Sequence, residues 1–139
     1  AELPTNIYES LSIKPTEILK SRDYVLVYEN EDQIKNIKID KELFDKKNID
    51  PGGVVITAKG NNSDFVSRYF VPQCSFFEDP VTGSTHCSLV PYWSKKLGKQ
   101  KLKSIQLSDR GGEMFCIDKG NRVLINGKAK TFSVGEVFL

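Results

Sequence analysis

The longest apolar runs of the chain have the length and residue types of buried β-strands. Residues 23–29 are nearly all apolar or aromatic, and residues 54–58 are continuous and rich in β-branched side chains. Residues 64–70 alternate, so that successive side chains fall on opposite faces. These patterns predict three strands in the first half of the chain.

A second group of strands is predicted after the middle of the chain. The ranges that read as strands are 104–107, 113–118, 122–125 and 129–137. Turn residues separate them at 109–112 and 119–121, and Asn126-Gly127 is a hairpin signal before the last one.

Helical spacing is clearest from Ser84 to Leu97. Val90, Trp93 and Leu97 form one apolar stripe, and Gly98 is placed to cap the C-terminal end. Pro91 predicts a kink or a break near Ser88. Shorter helical segments are expected at 5–12, 31–37 and 40–44. The patterns together favour a strongly twisted sheet curled around one helix.

Composition and charge are those of one small globular domain covering residues 1–139. The chain has 39% hydrophobic and 27% charged residues, which is ordinary for such a domain. A net charge of +2 is too small to indicate nucleic acid as a partner. Basic residues do gather at Lys95, Lys96, Lys99, Lys101 and Lys103, and we interpret them as a solvated helix end and loop.

Cysteine usage and hydropathy favour a cytoplasmic protein. Cys74, Cys87 and Cys116 form no Cys-x-x-Cys pair, and their odd number and wide spacing indicate reduced, buried thiols. No apolar run approaches the roughly 18 residues of a membrane span, and the N-terminus has no leader-like run. We therefore expect no membrane partner.

Candidate chemistry is concentrated in residues 78–86, just ahead of the main helix. Glu78 and Asp79 supply carboxylates, and Pro80 biases Asp79 away from helical geometry. Small polar residues follow at 82–84, where a helix could begin. Because a helix N-terminus exposes unpaired N–H groups, a carboxylate beside an anion-binding site is a plausible small-molecule active site.

Structural roles compete with each of these assignments. Asp79 could be a turn or capping residue before proline, and Thr82 or Ser84 could simply cap the helix. Glu78 is expected to reach back to a helix or backbone donor.

Other polar side chains of the same region are expected to be structural. Arg68 is expected to form a salt bridge across strands, and His86 to be packed and hydrogen-bonded. A zinc site at Cys74, His86 and Cys87 is disfavoured, since a fourth ligand is missing.

Residues 78–84 (Glu-Asp-Pro-Val-Thr-Gly-Ser) closely resemble the signature of the phenazine-biosynthesis PhzF-like isomerase family. Segments in the order of that family run over nearly the whole chain: 21–24, 54–60, 67–72, 91–93, 106–108, 110–113 and 125–129. Members are roughly twice this long, so the chain is similar to the C-terminal half only.

The resemblance implies an α+β fold, namely a diaminopimelate-epimerase-like half whose curved mixed β-sheet wraps around a central helix. It implies that Asp79 is catalytic and that Gly83, Ser84 and Thr82 bind the substrate. The substrate would be a small carboxylate-bearing metabolite, with no metal and no organic cofactor. The family's catalytic glutamate and glycine-histidine motif belong to the first half, and nothing here matches them.

Two functions follow from this incompleteness. The chain could be part of an isomerase that moves a proton once the N-terminal half or a homodimer partner is present, the isolated half being inactive. Alternatively, it could be a non-catalytic module that binds a ligand or associates with itself. Thiol-based epimerisation is disfavoured, because Asp79 stands where such enzymes carry a cysteine and Cys87 is expected in the core.

Overall fold

A mixed β-sheet of eight strands organises residues 1–138, which are the residues that the computed structural model describes. The strands are β1 (Glu17–Lys20), β2 (Tyr24–Val27), β3 (Val54–Lys59), β4 (Phe65–Phe70), β5 (Glu78–Asp79), β6 (Lys101–Gln106), β7 (Gly112–Asp118) and β8 (Val123–Gly127). The helices are α1 (Thr5–Ser10), α2 (Glu31–Asn36), α3 (Lys41–Phe44) and α4 (His86–Leu97). Leu139, the last residue of the predicted domain, lies outside the described residues.

The strand order is β1-β2-β3-β4-β6-β7-β8, with the short β5 paired to β4. The pairs β2–β3 and β4–β6 are parallel, and the other pairs are antiparallel. Because a parallel pair needs a crossover connection, helices occur at both places: α2 and α3 between β2 and β3, and α4 between β4 and β6. The predicted mixed α+β fold is confirmed at this level.

Each face of the sheet buries its own apolar cluster. One cluster contains Leu26, Ile34, Phe44, Ile56 and Val66, and it joins the sheet to the short helices α1–α3. The other joins the sheet to α4 and contains Val25, Val27, Val55, Phe65, Tyr69, Leu89, Val90, Trp93, Leu102, Met114 and Cys116. The sheet therefore lies between two helical layers, and α4 is alone on its face among the described helices. Among residues 1–138, none of the helices is both long enough and apolar enough to cross a lipid bilayer.

Strand predictions succeed where side chains are buried and fail at the edges. The strands predicted at 23–29, 54–58 and 64–70 are confirmed as β2, β3 and β4. The edge strand β1 has no buried residue and was missed. Strand β6 begins at Lys101 rather than residue 104, because Leu102 is buried between two lysines that we had assigned to a loop.

The predicted strand at 129–137 is wrong, and so is the hairpin at Asn126-Gly127. Strand β8 continues to Gly127, and the chain beyond it has no regular secondary structure through residue 138. Four large apolar side chains of this C-terminal tail (residues 128–138) are 84–101% exposed: Phe132, Val134, Val137 and Phe138. Within the tail, residues 131–135 alternate between small or polar and apolar side chains, but no strand of residues 1–138 pairs with them.

Helix α4 begins at His86 and continues to Leu97. Of the predicted kink or break near Ser88, the break is therefore wrong, and the kink stays a prediction. Pro91 removes one helical hydrogen bond, that to the carbonyl of Cys87. Since Cys87 is exposed, water can replace this bond. Gly98 ends the helix with a φ of 67°, as predicted.

The expectation that all three thiols are buried is wrong for Cys87, which is exposed. The thiol of Cys116 is buried and that of Cys74 is half-buried.

Polar side chains tie α4 to the sheet as well. The indole N–H of Trp93 donates to Thr57 Oγ1 at 3.0 Å. His86 is fully buried, with Nδ1 2.9 Å from the carbonyl of Thr82 and Nε2 2.8 Å from Ser104 Oγ. A carbonyl only accepts, so Nδ1 carries the hydrogen and Nε2 accepts from Ser104. The packed, hydrogen-bonded role predicted for His86 is confirmed.

Burial of His86 makes the stability of the fold depend on pH. Burial lowers the pKa of His86 from 6.5 to about 4. As the pH falls below 6.5, His86 is protonated in the unfolded chain, whereas in the native chain it is protonated only near pH 4. The stabilising effect of the neutral imidazole is therefore complete above pH 6.5 and is lost as the pH falls from 6.5 to 4.

We expect the free energy of unfolding, measured by urea titration, to fall by about 3 kcal/mol between pH 7.5 and pH 4 through His86 alone. The variant His86→Gln is the control, because it retains every carboxylate and loses only this titration. Equal pH slopes in the two proteins would contradict the prediction.

Candidate active site

The register of the sheet brings Asp79 next to the end of β6. Strand β3 pairs with β4 along its full length, so β5 and β6 must share the other edge of β4. On that edge Asp79 is opposite Tyr69, and Gln106 is opposite Ser67. Two residues 27 positions apart in the chain are thereby placed beside each other.

Arg68 and Glu78 fasten β5 to β4. The guanidinium donates from Nε to Glu78 Oε1 at 2.7 Å and from Nη2 to Oε2 at 2.8 Å. Nη1 donates to the carbonyl of Ile34 at 3.2 Å. Both charged side chains are mostly buried, so the pair is screened less than a surface ion pair. The cross-strand salt bridge predicted for Arg68 is confirmed, whereas the helix or backbone donor predicted for Glu78 is wrong.

Asp79 is half-buried and is held through both its side chain and its backbone. Its Oδ2 accepts a hydrogen bond from the hydroxyl of Thr82 at 2.7 Å. Its carbonyl accepts one from Nε2 of Gln106 at 2.7 Å. No hydrogen bond from another described residue reaches Oδ1, so this oxygen is available to a ligand.

The polar atoms of Thr82 are all engaged within the protein. Its N–H donates to Oε1 of Gln106 at 2.8 Å, and its carbonyl accepts from the hydroxyl of Thr85 and from His86. Only 6% of the residue is exposed. Thr82 therefore acts on Asp79 in this structure, and its predicted contact with a substrate stays a prediction.

The start of α4 (residues 83–85, here the helix start) is open to solvent at Gly83 and Ser84. Within residues 1–138, the backbone N–H groups of Gly83, Ser84 and Thr85 donate to no other residue. The N-cap position is Thr85, without a side-chain capping bond, so capping by Thr82 or Ser84 is wrong. The exposed N–H groups of Gly83 and Ser84, with the positive end of the helix dipole, are left for an anion, whereas Thr85 is buried.

Arg22 adds a positive charge to the helix start. Its Nη2 donates to Ser84 Oγ at 3.0 Å and to Asp23 Oδ2 at 2.8 Å, while half of its side chain is exposed. Asp23 is buried and also accepts from the Gly53 N–H and the Tyr69 hydroxyl. Burial and the hydrogen bond to Asp23 raise the pKa of Tyr69 to about 12, so Tyr69 remains a donor.

Sequence reasoning missed Arg22 as a site residue. The residue was noted only as part of a family-like segment, and the 62 positions between it and Ser84 hide the contact. The signal in the sequence was an arginine followed by an aspartate at the start of an apolar run. This signal does not reveal that the arginine also contacts Ser84.

A groove of about 640 Å³ borders the helix start. Its lining includes Val81, Gly83, Arg110, Glu113 and Lys128. A side chain at Gly112, which also lines the groove, would collide with Val81 Cγ2 at 2.3 Å, so only glycine lets these two segments approach. In the described part of the chain, no group of three or more His, Cys, Asp or Glu residues could hold a metal ion.

The chain is similar to solved structures of bacterial proteins. The chain superimposes over its whole length on a Clostridium difficile protein of the phenazine-biosynthesis PhzC/PhzF type, with a TM-score of 0.84 and 42% identity. It superimposes equally completely on a PhzF-family protein of Enterococcus faecalis, with a TM-score of 0.86 and 39% identity. In both cases the chain covers 53% of the other protein.

Sequence comparison agrees with the structures. A curated relative, named as an uncharacterized isomerase of Pseudomonas aeruginosa, is 40% identical over 136 residues, or 98% of this chain and 52% of the relative. The chain thus spans about half the length of the curated relatives it matches. The model of the PhzC-PhzF family, described as phenazine biosynthesis-like protein, matches residues 6–135. This chain belongs to the phenazine biosynthesis-like protein family, as the resemblance of residues 78–84 predicted.

Proposed function

We propose that this chain forms half of the active site of a PhzF-like isomerase, which shifts a proton on a small carboxylate-bearing metabolite without a cofactor. The observation that carries the proposal is the placement of Asp79 beside the open N–H groups of the helix start. The sequence identity of 40% with a protein that is named as an isomerase supports the proposal. In this proposal the chain is the C-terminal half of a two-half protein, and its sheet wraps around α4 as in diaminopimelate-epimerase-like halves. Cytoplasmic location stays a prediction.

The carboxylate of the substrate binds at the helix start. The N–H groups of Gly83 and Ser84 donate to it, and the Ser84 hydroxyl and the Arg22 guanidinium lie within reach of the same anion. The rest of the molecule extends into the neighbouring groove. A neutral isostere of the carboxylate would lose the charge-assisted part of this interaction.

Asp79 orients the substrate or exchanges its proton. In an isomerisation one C–H bond breaks and another forms, so the proton that leaves one carbon is returned to another and no other reactant is consumed. The free Oδ1 of Asp79 is suited to one of these transfers. The other transfer is assigned to the first-half glutamate that the family resemblance implies.

The role of Asp79 is tested by isotope exchange in a two-half protein that contains this chain. We expect Asp79→Asn to lower the rate of solvent-deuterium incorporation into carboxylate substrates by about 100-fold or more, because the amide cannot exchange a proton as a carboxylate does. Asp32→Asn, on an exposed turn of α2, is the control. An unchanged rate in Asp79→Asn would remove this residue from the mechanism.

The anion site is tested on the 139-residue chain by NMR titration with benzoate and with its neutral isostere benzamide. We expect the amide resonances of Gly83, Ser84 and Thr85 to shift with benzoate and not with benzamide. A Cβ at Gly83 would meet nothing within 4 Å, so Gly83→Ala should fold normally and obstruct the ligand, weakening benzoate binding about fivefold. Gly135→Ala, which also fills open space but lies outside the lining of the groove, is the control and should bind benzoate as the native chain does. Equal shifts with both ligands would contradict the anion site.

A second candidate function, a self-associating module, is favoured by the C-terminal tail. Apolar side chains exposed to this degree, on a segment with strand-like alternation, are available to pair with the edge of another sheet. The partner would be the N-terminal half or a second copy of this chain.

Association is measured by sedimentation of the 139-residue chain. We expect it to dimerise and Phe132→Asp to weaken the dimer at least about tenfold, since a charge replaces a fully exposed apolar side chain at the contact. Thr131→Asp adds the same charge at the neighbouring position and is the control. A monomer at all concentrations would count against self-association.

A further inference from the structure

Gln106 is fully buried, and among the described residues its side chain forms hydrogen bonds only with the segment that carries Asp79 and Thr82. Its side chain makes three hydrogen bonds: Oε1 accepts from the Thr82 N–H at 2.8 Å, and Nε2 donates to the Asp79 carbonyl at 2.7 Å and to Thr82 Oγ1 at 3.2 Å. A buried side chain with every polar atom directed at one loop limits the positions that the loop can take.

The chemistry of its partners fixes the orientation of the Gln106 amide. A backbone N–H can only donate, so the atom facing Thr82 N must be the oxygen. A backbone carbonyl can only accept, so the atom facing the Asp79 carbonyl must be the nitrogen. The two contacts exclude the flipped amide. In that orientation the amide nitrogen would face the Thr82 N–H, donor against donor, and the amide oxygen would face the Asp79 carbonyl, acceptor against acceptor.

This orientation fixes the direction of the Thr82 hydroxyl in turn. The Gln106 nitrogen has no lone pair to offer, so Thr82 Oγ1 is the acceptor in their contact. The hydroxyl hydrogen is then free for Asp79 Oδ2 at 2.7 Å. One hydrogen-bond chain thus runs from the Gln106 amide through the Thr82 hydroxyl to one oxygen of Asp79, and the other oxygen stays free.

We infer that Gln106 is a positioning residue for the proton-transfer step: it directs the Thr82 hydroxyl at Asp79 Oδ2 and so presents Oδ1 to the substrate. The inference rests on the proposed function, because it assigns Asp79 the reacting carboxylate. Gln106 touches no reacting atom and acts on the Asp79 carboxylate through the Thr82 hydroxyl.

The competing explanation is that Gln106 only stabilises the loop backbone. Its bonds to the Thr82 N–H and to the Asp79 carbonyl would serve that purpose without involving the hydroxyl. The two explanations differ for Gln106→Met in a Thr82→Val background, where the hydroxyl is absent but both backbone bonds of Gln106 are still there to be lost. Action through the hydroxyl predicts no further loss in that background, whereas backbone stabilisation predicts an additional loss.

Side-chain order is the first test, made on the 139-residue chain without any activity. We expect the χ1 angle of Asp79, measured by three-bond NMR couplings, to hold one rotamer in the native chain and in Thr82→Ser, and to average in Thr82→Val. A single rotamer in Thr82→Val would overturn the inference while leaving the proposed function intact. Gln106→Met should average χ1 as well, and a single rotamer in this variant would also overturn the inference. If that variant does not fold, Thr82→Val still tests the hydroxyl contact on which the inference depends.

Exchange kinetics in a two-half protein are the second test. We expect Thr82→Val and Gln106→Met each to lower kcat about tenfold with little change in KM, and Thr82→Ser to recover most of the loss. The double variant should lose no more than the single ones, because both break the same chain. Additive losses, or equal losses when Asp79 is already asparagine, would overturn the inference; full activity of Asp79→Asn would instead reject the proposed function.

Discussion

The shared edge of β4 is the constraint on which the site depends. Strand β5 has only two residues, and it would have little reason to pair unless it were held at both ends. The Arg68–Glu78 ion pair holds one end, and the Gln106 amide holds the other. Because β6 occupies the adjoining stretch of the same edge, Gln106 is delivered to Asp79 by the sheet register rather than by a flexible loop. Because Asp79 is already held in place, its carboxylate would lose little conformational entropy on binding a substrate.

Two buried hydrogen bonds specify how α4 lies on the sheet, in addition to its apolar packing. His86 is joined to Ser104 and Trp93 to Thr57, which helps to hold the N-terminus of the helix at the site. A wholly apolar contact would stabilise the helix without specifying its rotation or translation as closely. The neutral imidazole of His86 is part of this arrangement, and so the geometry of the site and the pH dependence of folding have a common origin.

The sequence predicted what local pattern can encode. Asp79, Gly83 and Ser84 are within six positions of one another, and the buried strands are marked by their β-branched side chains. Contacts made by tertiary pairing were not predictable: Arg22 reaches Ser84 and Gln106 reaches Asp79 only after the strands have paired. In the tail a strand was predicted that the structure does not contain. Its residues are suited to a strand, but a strand forms only when the edge of a neighbouring strand is available for pairing.

In the proposed function, Asp79 and the helix start would bind an anion but could not complete the chemistry by themselves. Asp79 offers a single free oxygen, whereas moving a proton between two carbons requires a group at each position. With the helix start facing solvent, the attraction between Arg22 and a carboxylate is also weakened by water. A second half that closes over the groove would supply the missing acid or base and exclude that water, so both deficiencies would be removed by one interface. In the proposed function, one interface would therefore cover the exposed apolar tail and also complete the site.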